Sequence, residues 1–298
     1  MTKTLRGVIA AIPTAADEHH EPDLARSVAL ARFLLDNGCD GLNVLGTTGE
    51  ATSFSLTQRQ RLMSGYKGAG LPMDRLMVGT GAAAVADAIA LTQHAAGLGF
   101  AGALLLPPFY YKGVPDDGLA AYIGAIVAAT ADQPIPLYLY NFPQQSGLTW
   151  GIDLIRRLRQ DHGSRIVGLK DSSGDMLYAR GVVASDPDFA VFPSTEAVLI
   201  EARASAFAGC ISATANLNAE FCARAWRDGD RAAQETAVAI RKLFDGKPLV
   251  SGVKALVGHI HDDPAWAVTA PPLTRFSSAD TAAVVAGYES LVRVRRVA

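Results

Sequence analysis

Lys170 stands where an apolar run ends and a polar turn begins. Residues 166–169 (Ile-Val-Gly-Leu) are typical of the end of a buried strand, and residues 171–174 (Asp-Ser-Ser-Gly) are typical of the loop that follows it. Burial removes water from an ammonium group and favours the neutral amine, which can attack a ketone and form a Schiff base. A strand-end lysine that extends its ammonium group into solvent fits the same position, so Lys170 alone leaves both interpretations open.

Tyr140 ends the predicted strand that immediately precedes the strand of Lys170. A phenol beside a Schiff base can carry protons to and from the substrate. The alternative is a half-buried structural tyrosine whose hydroxyl has a hydrogen-bond partner. Because consecutive strands of a barrel are neighbours, Tyr140 and Lys170 are expected side by side, which favours the catalytic interpretation.

Residues 46–50 (Gly-Thr-Thr-Gly-Glu) form a short loop that is rich in hydrogen-bond donors and precedes a predicted helix. The amides at a helix N-terminus favour an anion. No P-loop lysine follows, so a carboxylate is a better candidate than a phosphate. An ordinary glycine-containing turn is the alternative.

Short apolar runs alternate with longer amphipathic segments eight times between Val8 and Asn216. This alternation predicts parallel strands joined by helices, and eight units predict an α/β fold of the (β/α)8 TIM-barrel type rather than an open doubly wound sheet. We expect the barrel over residues 1–220 and a C-terminal helical extension over residues 221–298. In such a barrel the site lies at the C-terminal ends of the strands, which is where Lys170 and Tyr140 fall.

The composition excludes several classes of function. The net charge of −2 over 298 residues argues against a partner that is a nucleic acid or an anionic membrane. The three cysteines are odd in number and lack C-x-x-C spacing, and the histidines show no metal-ligand pairing, so neither a disulfide framework nor a metal site is predicted. No signal peptide or membrane-spanning run is present in the sequence, which predicts a cytoplasmic protein.

Four motifs together resemble those of the dihydrodipicolinate synthase and N-acetylneuraminate lyase family of class I pyruvate-dependent aldolases. They are residues 46–50, residues 140–143 (Tyr-Asn-Phe-Pro), residues 168–175 (Gly-Leu-Lys-Asp-Ser-Ser-Gly-Asp) and residues 209–216 (Gly-Cys-Ile-Ser-Ala-Thr-Ala-Asn). Their order and spacing agree with the family, and the resemblance covers the whole chain.

The resemblance implies a role for several residues. Lys170 would form the Schiff base with pyruvate or another 2-oxo acid, and Tyr140 would relay protons. Thr47 and Thr48 would bind the substrate carboxylate, and Thr48 would also take part in the relay. Tyr111 would enter the neighbouring subunit's site. Ile211 would line the pyruvate pocket. It also implies a homotetramer built as a dimer of dimers, with no metal or organic cofactor.

Departures from the family pattern bear on the substrate. Gln145 stands where dihydrodipicolinate synthases carry an arginine that binds the carboxylate of aspartate semialdehyde. A neutral amide cannot form that bidentate ion pair, and its loss should cost about 2–4 kcal/mol. Ser172 and Glu196 could instead contact sugar hydroxyls, and residues 140–143 followed by Gly147 look most like those of 2-keto-3-deoxy sugar acid aldolases.

The leading prediction is therefore a Schiff-base aldolase that acts on a 2-keto-3-deoxy sugar acid or a related 4-hydroxy-2-oxo acid, with pyruvate and an aldehyde as its other ligands. An oxo-acid dehydratase that uses the same Schiff base is the second possibility. A 4-hydroxy-tetrahydrodipicolinate synthase is the third, and a non-catalytic regulator that binds a small acid is the remote one.

Overall fold

Eight parallel strands form the centre of the protein. The computed structural model describes residues 4–204 and 207–296. The strands are Gly7–Ala11 (β1), Gly41–Val44 (β2), Leu76–Gly79 (β3), Gly102–Leu105 (β4), Leu137–Asn141 (β5), Ile166–Asp171 (β6), Ala190–Pro193 (β7) and Gly209–Ser212 (β8).

The strands follow one another around a barrel in the order β7-β6-β5-β4-β3-β2-β1-β8. Between β7 and β8 the Ala208 N–H, one residue before β8, donates to the Val191 carbonyl at 2.9 Å and closes the ring. This arrangement confirms the predicted (β/α)8 barrel. Side chains that point inward fill its centre, among them Ile9, Met77, Leu104, Tyr138, Phe192 and Ile211.

Helices surround the barrel and continue beyond it. They are Leu24–Asp36 (α1), Leu56–Gly68 (α2), Val85–Leu98 (α3), Asp116–Ala129 (α4), Pro143–Ser146 (α5), Ile152–His162 (α6), Met176–Ser185 (α7), Leu199–Arg203 (α8), Ala215–Asp228 (α9), Arg231–Lys242 (α10), Leu249–Ile260 (α11) and Ser278–Arg296 (α12). Their apolar spacing explains the packing: α6 buries Leu154, Ile155 and Leu158 on one face, while most of its charged residues are exposed.

The C-terminal extension consists of α10, α11 and α12. α10 and α11 pack on α9, and α12 packs on α10 and α11. The boundary predicted at residues 220 and 221 falls inside α9, which continues to Asp228 with one non-helical residue, Asn218. The helices of the extension begin after that point. In the part of the chain that the structure describes, no helix is both long and apolar enough to cross a membrane.

Candidate active site

The pair Tyr140 and Lys170 forms the centre of the site. β5 and β6 are in register so that these two residues are direct partners across the ladder. Both are almost completely buried, and the Lys170 Nζ lies 4.4 Å from the centroid of the Tyr140 ring. The prediction that barrel geometry brings them together is therefore confirmed.

Hydrogen bonds around the ends of β5 and β6 hold this pair in place. The Trp150 Nε1 donates to the Tyr140 carbonyl at 3.1 Å. The Asn141 Nδ2 donates to Asp171 Oδ1 at 2.8 Å, which joins the residues that follow Tyr140 and Lys170. The Ser172 N–H donates to the Asn141 carbonyl at 2.8 Å and extends the ladder past the lysine.

The loop after β2 brings a threonine hydroxyl to the tyrosine. The Thr47 Oγ1 and the Tyr140 Oη are 3.2 Å apart, within hydrogen-bond distance. Thr48 was predicted as the relay hydroxyl, but among the described contacts it is Thr47 that reaches Tyr140. Neighbouring residues of a turn direct their side chains differently, so the sequence could not decide between two adjacent threonines.

A buried ion pair anchors the same loop. Glu50 adopts a left-handed backbone conformation with φ of 54°. Its carboxylate accepts from the ammonium of Lys254 on α11, and its Oε2 accepts from the Ala270 N–H at 2.7 Å. Desolvation by burial lowers the pKa of Lys254, and the neighbouring Glu50 carboxylate opposes that shift. No local sequence pattern predicts this contact, because 204 residues separate the two partners.

These elements enclose a cavity of about 570 Å³ at the C-terminal ends of the strands. Seven of the predicted site residues line it: Thr47, Thr48, Tyr140, Gln145, Lys170, Ser172 and Ile211. The extension supplies another wall, formed by Arg241, residues 248–251 and residues 272–274. The site is therefore built from both parts of the chain.

Tyr111 is a predicted site residue that does not line this cavity. It lies in the loop after β4, is 69% exposed, and packs edge-on against Tyr110 with ring centroids 5.3 Å apart. An exposed tyrosine outside its own cavity agrees with the predicted reach into a neighbouring subunit. That role stays a prediction, because it concerns a second copy of the chain.

Glu196 is fully buried and does not line the cavity either. Its Oε1 accepts from the Ser212 hydroxyl at 2.7 Å and from the Thr214 hydroxyl. The structure therefore places Glu196 behind the wall, where the segment after β7 meets the end of β8. Contact between Glu196 and substrate stays a prediction that this geometry does not favour.

Arg241 is a cavity residue that the sequence analysis missed. Its Nη1 donates to the Ser212 Oγ at 3.3 Å and lies 3.7 Å from the Glu196 Oε2. No local signal identifies it, since Arg241 belongs to the last turn of a polar helix in the extension. Only the packing of α10 over the barrel brings it to the site.

The arrangement can perform covalent carbonyl chemistry. It combines one amine nucleophile, a phenol beside that amine, a hydroxyl bonded to the phenol, and a cationic side chain elsewhere in the same cavity. Within residues 4–204 and 207–296, no group of three or more histidine, cysteine, aspartate or glutamate side chains is arranged to hold a metal ion.

Comparison with known proteins identifies the family. The profile of the dihydrodipicolinate synthetase family matches residues 4–286. A DapA-like lyase of Chloroflexus aurantiacus is 34% identical, with 96% of this chain and 97% of that protein covered. The 4-hydroxy-tetrahydrodipicolinate synthase of Moorella thermoacetica is 33% identical, with 78% of this chain and 77% of that protein covered.

Solved structures agree with this assignment. The dihydrodipicolinate synthase of Agrobacterium tumefaciens superposes with a TM-score of 0.90 at 28% identity, over 96% of this chain and 99% of that one. A variant of the 2-keto-3-deoxygluconate aldolase of Sulfolobus solfataricus has the same fold, with a TM-score of 0.86 at 18% identity over 98% and 97% of the two chains.

This chain belongs to the dihydrodipicolinate synthetase family. It is a lyase of the pyruvate-dependent class I type, in which a lysine of the enzyme forms a Schiff base with the substrate. The family resemblance of the sequence motifs is thereby confirmed.

Proposed function

We propose that this protein is a class I aldolase that cleaves or forms a 2-keto-3-deoxy sugar acid or a related 4-hydroxy-2-oxo acid, with pyruvate as one partner. The observation that carries the proposal is the group Lys170, Tyr140 and Thr47. The 4.4 Å contact between Lys170 and the Tyr140 ring and the 3.2 Å contact between Tyr140 and Thr47 lie in one cavity.

In the cleavage direction, the Lys170 amine attacks the C2 ketone, and loss of water from the adduct leaves an iminium ion. Tyr140 gives its phenolic proton to the hydroxyl that leaves as water, and the resulting phenolate accepts the proton of the C4 hydroxyl. The electron pair of the C3–C4 bond moves into the iminium, which produces an enamine and releases C4 as an aldehyde. C3 then takes this proton from Tyr140, and addition of water to the iminium releases pyruvate, restores the lysine and returns a proton to Tyr140.

The other predicted residues have matching roles in this proposal. The loop of Thr47 and Thr48 holds the C1 carboxylate, and Thr47 links Tyr140 to that end of the substrate. Ile211 and Ser172 border the pyruvate part. Catalysis then requires no metal or organic cofactor, because the iminium itself accepts the electrons.

A 4-hydroxy-tetrahydrodipicolinate synthase is the second candidate. It is supported by the identity of 33% to the Moorella thermoacetica enzyme of that name. Against it stands Gln145, a neutral cavity residue at the position where such synthases carry an arginine.

The experiment is a pyruvate-release assay on a panel of 2-keto-3-deoxy sugar acids, N-acetylneuraminate and 4-hydroxy-2-oxoglutarate, with borohydride trapping and intact-mass analysis of the same samples. We expect pyruvate from at least one compound and a reduced adduct on Lys170, with no adduct in Lys170→Ala. Adduct without pyruvate release would replace the aldolase with a dehydratase or a synthase. Absence of any adduct on the wild-type protein would refute the proposal.

The proposed assembly is a homotetramer in which Tyr111 of one subunit completes the relay of its neighbour. Its support is the family membership together with the outward position of Tyr111, whose side chain is 69% exposed.

A further inference from the structure

We infer that Arg241 is a specificity-determining residue that binds a terminal oxyanion, a carboxylate or a phosphate, on the aldehyde-derived part of the substrate. The inference rests on the proposed function and names the substrate class of the same site: 4-hydroxy-2-oxo acids with a second acidic group at the far end.

The first observation is the charge of the cavity wall. Among the described residues that line it, Lys170 and Arg241 carry positive charge and none carries a carboxylate. One carboxylate on C1 has its donors in the loop of Thr47 and Thr48. Arg241 is then a second cationic centre that the C1 carboxylate does not use.

The second observation is that the guanidinium group of Arg241 is only partly engaged. A guanidinium group has five N–H donors. The single hydrogen bond described for the Arg241 side chain is the long one to Ser212, at 3.3 Å. Its side chain is 31% exposed. Donors that face a cavity in this way are available to a ligand.

The third observation concerns the neighbouring carboxylate of Glu196. The Glu196 Oε2 lies 3.7 Å from the Arg241 Nη1, which is too far for a hydrogen bond. This buried oxygen has no other hydrogen-bond partner among the described residues. The carboxylate keeps its hydrogen bonds on the other oxygen, with Ser212 and Thr214. Glu196 therefore holds Arg241 near the cavity without occupying the guanidinium fork.

The fourth observation is the position of Arg241 around the barrel. It contacts Ser212 at the end of β8 and Glu196 after β7, whereas Thr47 and Thr48 follow β2. Arg241 thus faces a part of the ligand other than its C1 end. The cavity of about 570 Å³ leaves room beyond a pyruvate unit for that part.

These observations favour a carboxylate or a phosphate at the far end of the substrate over an end that carries only hydroxyl groups. Arginine binds carboxylate and phosphate through two parallel hydrogen bonds, which a lone hydroxyl cannot accept. Gln145 carries no positive charge. Arg241 supplies a positive charge from the extension, on another wall of the cavity. A substrate with a second acid would therefore be held differently than in enzymes with an arginine at position 145.

The test uses matched aldehydes in the synthesis direction with pyruvate. Glyoxylate and glycolaldehyde have the same number of carbons but differ in a terminal carboxylate, and glyceraldehyde 3-phosphate and glyceraldehyde differ in a terminal phosphate. For each pair, the ratio of kcat/KM for the acidic to the neutral aldehyde is measured. Because the aldehydes differ in intrinsic reactivity, the informative quantity is the change of this ratio between variant and wild type.

We expect Arg241→Gln to lower the ratio in one of the two pairs by on the order of 10- to 100-fold. The pair that responds identifies the oxyanion as carboxylate or phosphate. The matched control is Lys242→Gln, which removes one positive charge from the same helix at an exposed residue outside the cavity, and should leave both ratios unchanged.

If Arg241→Gln fails to fold, Arg241→Lys replaces it in the test, because lysine keeps a positive charge beside Glu196. We expect the same pair to respond in this variant, by a smaller factor, because lysine cannot form the bidentate contact. If Arg241→Gln, or Arg241→Lys in its place, slows both members of each pair equally, Arg241 only supports Glu196 and the inference is wrong.

Borohydride trapping with pyruvate separates this failure from failure of the proposed function. A wild-type protein without an adduct on Lys170 would remove the Schiff-base mechanism itself. An adduct on Lys170 together with unchanged aldehyde ratios would remove only the role of Arg241.

Discussion

At the scale of single residues, two tyrosines of one strand show how position decides role. Tyr138 and Tyr140 both project into the barrel from β5. The Tyr138 hydroxyl accepts from the Leu5 N–H at 3.3 Å, near the start of the chain. The Tyr140 hydroxyl meets Thr47 at the cavity instead. The same phenol is structural in one place and available for proton transfer in the other.

We predict that Tyr140→Phe lowers kcat for aldol cleavage by about 10²- to 10⁴-fold, the usual contribution of a general acid or base. Pyruvate should still form a borohydride-trapped adduct on Lys170, because the amine remains in place. Tyr138→Phe is the matched control and should retain kcat. Wild-type turnover by Tyr140→Phe would exclude the phenol from the relay.

At the scale of elements, the turn after β2 depends on a contact with the extension. The Thr14 Oγ1 donates to the Gly49 carbonyl at 2.8 Å, and the Glu50 carboxylate is bound to Lys254 and to the Ala270 N–H. Both members of the ion pair are fully enclosed, with 0% of either side chain exposed. Loss of one partner would leave an uncompensated charge in the interior.

We predict that Glu50→Gln lowers the free energy of unfolding by about 3–5 kcal/mol, as expected when a buried pair loses one partner. It should also raise KM for pyruvate, because the loop of Thr47 and Thr48 loses its anchor. Urea unfolding and steady-state kinetics measure the two effects.

Glu201→Gln is the control, since its ion pair with Arg180 is exposed and should contribute little to stability. The double variant Glu50→Gln with Lys254→Met should recover part of the lost stability, because it removes the unpaired ammonium. A destabilised Glu50→Gln protein with wild-type KM would show that the anchor does not position the loop.

At the scale of the whole molecule, the site has walls that the barrel alone does not supply. α10 contributes Arg241 to the cavity, the start of α11 contributes residues 248–251, and the segment between α11 and α12 contributes residues 272–274. Tyr111 is exposed and lies outside the lining of its own cavity. The extension thus supplies walls of the site from the same chain, and in the proposed tetramer a neighbouring subunit supplies Tyr111.

We predict that subunits with Lys170→Ala and subunits with Tyr111→Phe complement each other. In a mixed assembly, the intact Lys170 of one subunit can use the intact Tyr111 of its neighbour, so one wild-type site forms in each such pair. Activity after mixed refolding should therefore exceed that of either variant alone. The control is refolding of each variant by itself, and absence of any gain on mixing would place Tyr111 outside the neighbour's site.

The barrel and its reactive pair could be predicted from the sequence because both depend on local patterns. Apolar alternation along the chain determines strands and helices, and consecutive strands of a parallel barrel are neighbours, so Tyr140 and Lys170 had to meet. Tertiary structure alone decided three features of the site. Thr47, and not Thr48, contacts Tyr140; Glu196 is buried outside the cavity lining; and Arg241 lines the cavity. Those outcomes depend on the direction of side chains in a turn and on packing between segments distant in the chain, neither of which leaves a periodic signal in the sequence.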